Sequence, residues 1–262
     1  MSAPADRVCP EMSIWRTVAI YVNEARFECL RILRSPAFVV AVIVMPLAFY
    51  LLLGVALRGL RHQGGPHALG DAPIFVSFAI YGVLAPGLVV IAMQLATERS
   101  LGVLACKRAF PMPPASYIAA KILTAHIFAV IIMTLLTVLA VTLGGVEVER
   151  SRLIVLAGIM ALGVAPGCAI GLFIAAAFPP GVANALASTV FITMVMLAGL
   201  FYPLPPSLEA MRAIWPAFHL QQLGLSALGL PSHGDPWVHV LILIAATTLF
   251  SALAAWRFAR LR

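Results

Sequence analysis

The chain has 262 residues, of which 62% are hydrophobic and only 10% charged, and its mean hydropathy is +1.03. Ordinary soluble domains are about 25% charged, so a soluble globular fold is excluded and an integral membrane protein is expected. The net charge of +7 and pI of about 9.8 suggest an anionic partner, and their distribution along the chain decides which kind.

The N-terminal segment, residues 1–36, carries five arginines, four acids and no uninterrupted apolar core, so no cleavable signal peptide is expected. Within it Trp15, Val18, Val22, Ala25, Cys29 and Ile32 recur at alternating spacings of three and four, which marks one face of a helix. Arg16, Asn23, Glu24, Glu28, Arg31 and Arg34 lie on the opposite arc. The pattern predicts an amphipathic helix in the cytoplasmic membrane interface, ended by Pro36, that serves as a simple anchor or docks a cytoplasmic partner.

Six apolar runs follow, at residues 37–57, 74–97, 122–145, 153–178, 182–202 and 237–256. Each approaches the roughly 20 residues that a helix needs to cross a hydrocarbon core of about 30 Å. Barrel strands would be about ten residues long and alternating, so the fold class is an all-α membrane bundle. Prolines 46, 86 and 166 fall inside spans one, two and four, where kinks are expected.

The flanks 1–36, 98–121 and 257–262 hold twelve Lys and Arg, while 58–73, 146–152 and 203–236 hold five. The positive-inside bias therefore places both termini, and the basic tail 257–262, in the cytoplasm. That bias accounts for the basic pI, and no nucleic-acid partner is inferred. Cys9, Cys29 and Cys106 then lie on the reducing side and Cys168 within a span, with no disulfide or metal spacing.

Between spans two and three stands "ATERSLGVLACKRAFPMPPASY". Ser100 is a candidate N-cap for about two helical turns, with Glu98 and Arg99 at the start, Lys107 and Arg108 at the end, and Pro111, Pro113 and Pro114 blocking continuation. A plain connection needs only a few residues, so this short cytoplasmic helix reads as a contact surface. In span three, Lys121 is expected to snorkel, and His126, about 7.5 Å further in by helical rise, to hydrogen-bond locally. Span four carries Gly163, Gly167 and Gly171 every fourth residue, a small-residue face for close helix packing within the chain. Span five presents Asn184, Ser188 and Thr193, a modest polar stripe that either packs between helices or lines a route. After it, "FYPLPPSLEAMRAIWPAFHLQQLGLSALGLP" is too polar to cross, and two short re-entrant helices are expected near 206–214 and 216–228.

The sequence holds no phosphate-cradling GxxxxGK[ST] loop, no HExxH and no GxSxG. Paired intramembrane carboxylates, which would carry protons or sodium, are also missing. Active transport would thus draw its energy from another subunit, entering through the cytoplasmic helices.

In three places the chain resembles the ABC-2 type transporter permeases, the membrane subunits of bacterial ATP-driven exporters. The interfacial helix ends in "RILRSPAF". The middle segment is similar to the family's "ER..G....L...P.....Y...K" pattern at Glu98, Arg99, Gly102, Pro111, Tyr117 and Lys121. The segment after span five is similar to "G...P...LP......P..." at Gly199, Pro203, Pro206 and Pro216. The resemblance implies a coupling helix that docks on a separate cytoplasmic ATP-binding subunit, with two permeases, identical or not, over two such subunits in the bacterial cytoplasmic membrane. Coupling residues would be Glu98, Arg99, Gly102, Leu104, Lys107 and Arg108, with Arg31 and Arg34 beside them. The route would be walled in part by Asn184, Ser188, Thr193 and Met196, and suits a hydrophobic or amphipathic cargo such as a drug, antibiotic or lipid. No cofactor is expected in this chain, since ATP and magnesium would sit in the partner. Two rivals remain from sequence: a membrane enzyme using His126 or His219, and a sensor or scaffold binding a cytoplasmic signalling protein.

Overall fold

A computed structural model describes residues 14–59, 70–108 and 114–260. It is all-helical, with no strand among the described residues. Helix α1 is Ile14–Leu33. A helical path then runs through α2 (Pro36–Val39), a π-helical segment Val40–Val44, α3 (Met45–Phe49) and a second π segment Tyr50–Ala56. Next come α4 (Asp71–Ala85), a third π segment Pro86–Val90 and α5 (Ile91–Ser100). The short α6 spans Val103–Arg108, α7 Pro114–Thr142, α8 Arg150–Ala177 and α9 Pro180–Leu197. A 3₁₀ helix Pro206–Ile214, α10 (Pro216–Ala227) and α11 (Pro236–Ala259) complete the chain.

Among the described residues, five helices are long and apolar enough to cross a membrane: Asp71–Ser100, Ser116–Thr142, Arg150–Ala177, Pro180–Leu197 and Pro236–Ala259. The remaining expected run, the first at 37–57, holds only a shorter apolar helix, Val40–Ala56. Pro46 lacks an N–H and crowds the preceding turn. The helix around it accommodates this by switching register twice into π turns, as it does at Pro86. Pro166, in contrast, lies inside an uninterrupted α8. The fifth span stops at Leu197 rather than at 202, because Gly199 turns the chain at φ +72°.

The bundle is layered around span two (α4 to α5), 83% of whose most apolar window is buried, against 11% for α11. A helix apolar on all sides belongs in the centre. Leu84, Leu88 and Leu95 are fully enclosed there. On α11, Trp237, Leu241, Ile244 and Leu249 point outward uncovered. Apolar surface of that extent is expected against lipid, and the chain is a multi-pass membrane protein.

The glycine row of α8 is divided between two neighbours. A Cβ on Gly171 would fall 2.5 Å from the Gly87 carbonyl oxygen and 2.7 Å from that of Leu88, and one on Gly167 3.1 Å from the Leu84 oxygen. Reciprocally, a Cβ on Gly87 would lie 2.8 Å from the Cys168 nitrogen. Two backbones thus touch where span two turns π-helical, both partners belonging to this chain. Gly163 faces Leu220 of α10 instead, which seats α10 among α4, α8 and α11.

Candidate functional site: an ionic joint and an apolar groove

The segment between spans two and three differs from the sequence expectation in one respect. Ser100 does not cap the short helix; it ends α5, its hydroxyl donating to the Thr97 carbonyl. The chain breaks at Leu101 and Gly102, where φ is +73°, and α6 starts at Val103. Glu98 and Arg99 therefore belong to the last turn of the buried span, and their side chains point into the protein. Lys107 and Arg108 lie at the end of α6, with side chains outside the described residues, as are Pro111 and Pro113 and residues 1–13.

Glu98, 7% exposed, joins three helices. Lys121 of α7, 3% exposed, reaches it at 2.9 Å and Glu28 of α1 at 2.8 Å. Arg31 lies 2.5 Å from Glu98, 2.6 Å from Glu28 and 3.2 Å from the Gln94 carbonyl of its side-chain amide. Lys121 thus does not snorkel; it is enclosed, satisfied by two carboxylates and seated 5.0 Å from the Tyr117 ring centre. Two acids and two bases make the cluster neutral, which is how such charges are tolerated away from water. Burial pushes the Glu28 carboxyl up, but the charges and hydrogen bonds of Lys121 and Arg31 outweigh it and hold Glu28 below its usual value. Burial likewise lowers Arg31, and Glu28 and Glu98 together raise it above the ordinary guanidinium value.

Arg99 makes the second fastening. Its two guanidinium nitrogens donate to the carbonyls of Ala176 and Phe178 at 2.5 and 2.6 Å, satisfying groups at the end of α8 that no intrahelical donor reaches. The base of α6 is thereby pinned to α1, α7 and α8. The surface it presents outward consists of Leu101, 73% exposed, with Gly102, the half-buried Leu104 and the exposed Cys106. Arg34, just past the end of α1, is exposed.

The uncovered strip of α1, with Trp15, Val18, Val22 and Leu33 all exposed, runs beside the strip that packs on α7. Ala25 and Ile32 form that packed strip, and the Cys29 thiol lies 3.8 Å from the Thr124 hydroxyl. His126 Nδ1 donates within its own helix, to the Ile122 carbonyl 2.8 Å away.

From the ionic joint a groove climbs between the helical path Pro36–Ala56, the α4–α5 helix and α9. Its lower part, about 370 Å³, is bordered by Arg31, Gln94, Thr97 and Glu98. Its upper part, about 480 Å³, is bordered by Ala41, Val42, Tyr81, Val89, Ser188, Phe191 and Ile192. Ser35, Phe38 and Met93 line both. Of the four route residues named from sequence, Ser188 borders the groove, while Asn184 is exposed and Thr193 and Met196 are half-buried elsewhere on α9. Phe191 and Ile192, one turn beyond Ser188, were missed because polar residues were followed where the wall is apolar. Leu101 was missed too; the signal was a large apolar residue next to a glycine in a charged segment.

The profile of the family described as ABC-2 type transporter matches residues 24–228. The chain belongs to the ABC-2 type transporter family. It is also 24% identical over 234 residues to a Bacillus subtilis (strain 168) protein named "Putative transport permease YvfS", an alignment covering 87% of this chain and 93% of the relative. As an ABC-2 type permease it is a membrane transport subunit, of a family that works with an ABC ATP-binding subunit. Of the histidines named in the enzyme reading, His126 bonds to the Ile122 carbonyl and His219 to His239 and the Ala213 carbonyl, none of them a carboxylate or a thiol.

Proposed function

We propose that this ABC-2 permease is the membrane-spanning subunit of an ATP-driven exporter in a bacterial cytoplasmic membrane, with six spans and both termini inside. Pro36–Ala56 is the first span: its 21 helical residues approach the length required, and its apolar faces at Val40, Val44, Leu51 and Leu52 are uncovered by protein. Two permeases act over two ATP-binding subunits, which hold the ATP and magnesium. The cargo is hydrophobic or amphipathic, such as a drug, antibiotic or lipid, and enters the groove between spans one, two and five.

The observation that carries this reading is the ionic joint under α6. A short helix whose base is fixed to α1 and α7 by buried charge pairs and to the end of α8 by the Arg99 hydrogen bonds moves as one piece with the membrane helices. ATP-driven closure of the partner subunits then shifts the bundle, provided that ATP favours one of its two states. The docking surface is the outward set Leu101, Gly102, Leu104 and Cys106 with Lys107, Arg108 and Arg34. Glu98, Arg99 and Arg31 act as the lever's fixings.

The test is copurification and ATPase activity of the permease with its candidate ATP-binding subunit in lipid nanodiscs. Leu101→Asp is expected to release the ATPase or abolish its stimulation by the permease while the permease stays folded. If wild type and Leu101→Asp bind and stimulate equally, the docking surface is wrong. If no ATPase binds the wild type, the sensor or scaffold reading replaces export.

A further inference from the structure

At the opposite end of the bundle from Glu98, His219 of α10 and His239 of α11 face each other with their Nδ1 atoms 2.8 Å apart. Both are buried, at 2% and 6% exposure, so no bulk water mediates the contact. Each ring is also tied on its far side: His219 Nε2 lies 2.8 Å from the Ala213 carbonyl oxygen and His239 Nε2 2.6 Å from that of His233. A carbonyl only accepts, so both Nε2 atoms must carry hydrogen. A neutral imidazole holds one N–H. Two neutral rings would therefore turn two bare Nδ1 lone pairs on each other at hydrogen-bonding distance, which is repulsive. A cation belongs between them.

The separation says which. A metal with bonds of about 2.0–2.1 Å to each nitrogen at a tetrahedral angle holds them about 3.3 Å apart. A spacing of 2.8 Å is that of an N–H···N hydrogen bond. We infer that His219 and His239 form a buried site for one proton, shared between the two Nδ1 atoms, giving a singly charged imidazole–imidazolium pair.

The surroundings suit one positive charge and oppose two. The Phe218 ring centre lies 5.4 Å from that of His219 and 6.0 Å from that of His239, within reach of a cation–π attraction. Arg212 of the 3₁₀ helix sits 4.9 Å over the same Phe218 ring and pairs with Glu209 at 3.6 Å. Asp235 is engaged by the Trp237 amide as the cap of α11, and the His233 amide donates to the Gln222 side chain. From α8, Arg152 donates to the Leu228 carbonyl; from α4, Asp71 pairs with Arg58. Helix α9 contributes no ionisable residue. Burial pushes His219 down, the Ala213 carbonyl pulls it up and His239 pushes it down, which resists the second charge.

The shared proton fastens the 3₁₀ helix, α10, the His233 turn and α11 together. Its loss leaves opposed lone pairs and loosens α10 from the last span. In the topology proposed above, on which this role rests, that end is the outer mouth of the route, so outside acidity holds the cap shut and alkalinity frees it.

The experiment is ¹⁵N NMR of the full-length protein, labelled at histidine, in lipid bilayers over about pH 5–9, without metal and with added Zn²⁺. His219→Gln and His239→Gln assign the signals, and the unfolding temperature is followed in parallel. A through-bond Nδ1–Nδ1 coupling with three protonated nitrogens in the pair is expected at low pH. It should vanish at high pH together with about 2–4 °C of wild-type stability that neither variant loses. Two protonated nitrogens at every pH would overturn the inference, and so would Zn²⁺ stabilisation that needs both histidines. Because no ATPase or transport is involved, failure here is distinct from failure of the export reading.

Discussion

Glu98 shows how far a charged residue's role depends on where its helix ends. Five positions further along the chain it would have stood on the short helix α6; instead it closes a four-membered ion cluster with Glu28, Arg31 and Lys121. Removing one partner from such a buried set costs about 3–5 kcal/mol, because the remaining charge stays unpaired. The half-exposed Arg31 is screened by water and contributes less. The cluster also gives a pH signature with a fixed sign. Glu28 is held below the ordinary carboxyl value of 4.5 in the folded protein, so its stabilisation is complete above that value and lost as pH falls through the folded one. Wild type should be more heat-stable than Glu28→Gln at neutral pH, and the gap should close below about pH 4. A gap in unfolding temperature that stays constant with pH would remove Glu28 from the joint.

Among the elements, the contact of α8 with span two is the tightest, and its glycines separate into two kinds. Gly171 and Gly87 meet backbone atoms that cannot yield, whereas a Cβ on Gly158 of the same α8 meets nothing within 4 Å. Gly171→Ala should therefore cost about 1–3 kcal/mol through overpacking. Gly158→Ala should be neutral or stabilising by up to about 1 kcal/mol from helix propensity. Unfolding in a denaturant series in detergent measures both, and equal effects would disprove the close approach. The four-residue spacing of Gly163, Gly167 and Gly171 was legible in the sequence. Its division between α10 and span two was not, since spacing marks a face and says nothing of which helix covers it. The short helices after span five were legible to within a residue or two, because prolines 206 and 216 each open one.

For the whole molecule, the groove beside α9 is the proposed route. Two π segments, Val40–Val44 and Pro86–Val90, contribute Ala41, Val42, Val89 and Val90 to its wall, so the prolines read from sequence help to shape that groove. Ser188→Trp adds an aromatic ring to that wall. It should abolish stimulation of the partner ATPase by an amphipathic cargo while leaving basal hydrolysis and assembly intact. Stimulation unchanged from wild type would place the route elsewhere.

Composition and periodicity by themselves determined that this chain lives in lipid, how many apolar runs it has and that α1 is amphipathic. Those properties are local: length, apolarity and the 3.6-residue repeat act within one element. Only the tertiary structure decided that Glu98 and Glu28, 70 residues apart, share Arg31 and Lys121, that Arg99 caps the end of α8, that Phe191 rather than Thr193 walls the groove, and that His219 finds His239 twenty residues away. Ion pairs, caps and shared protons depend on which faces meet, and in a bundle of uniformly apolar helices that is set by packing, which no single helix records.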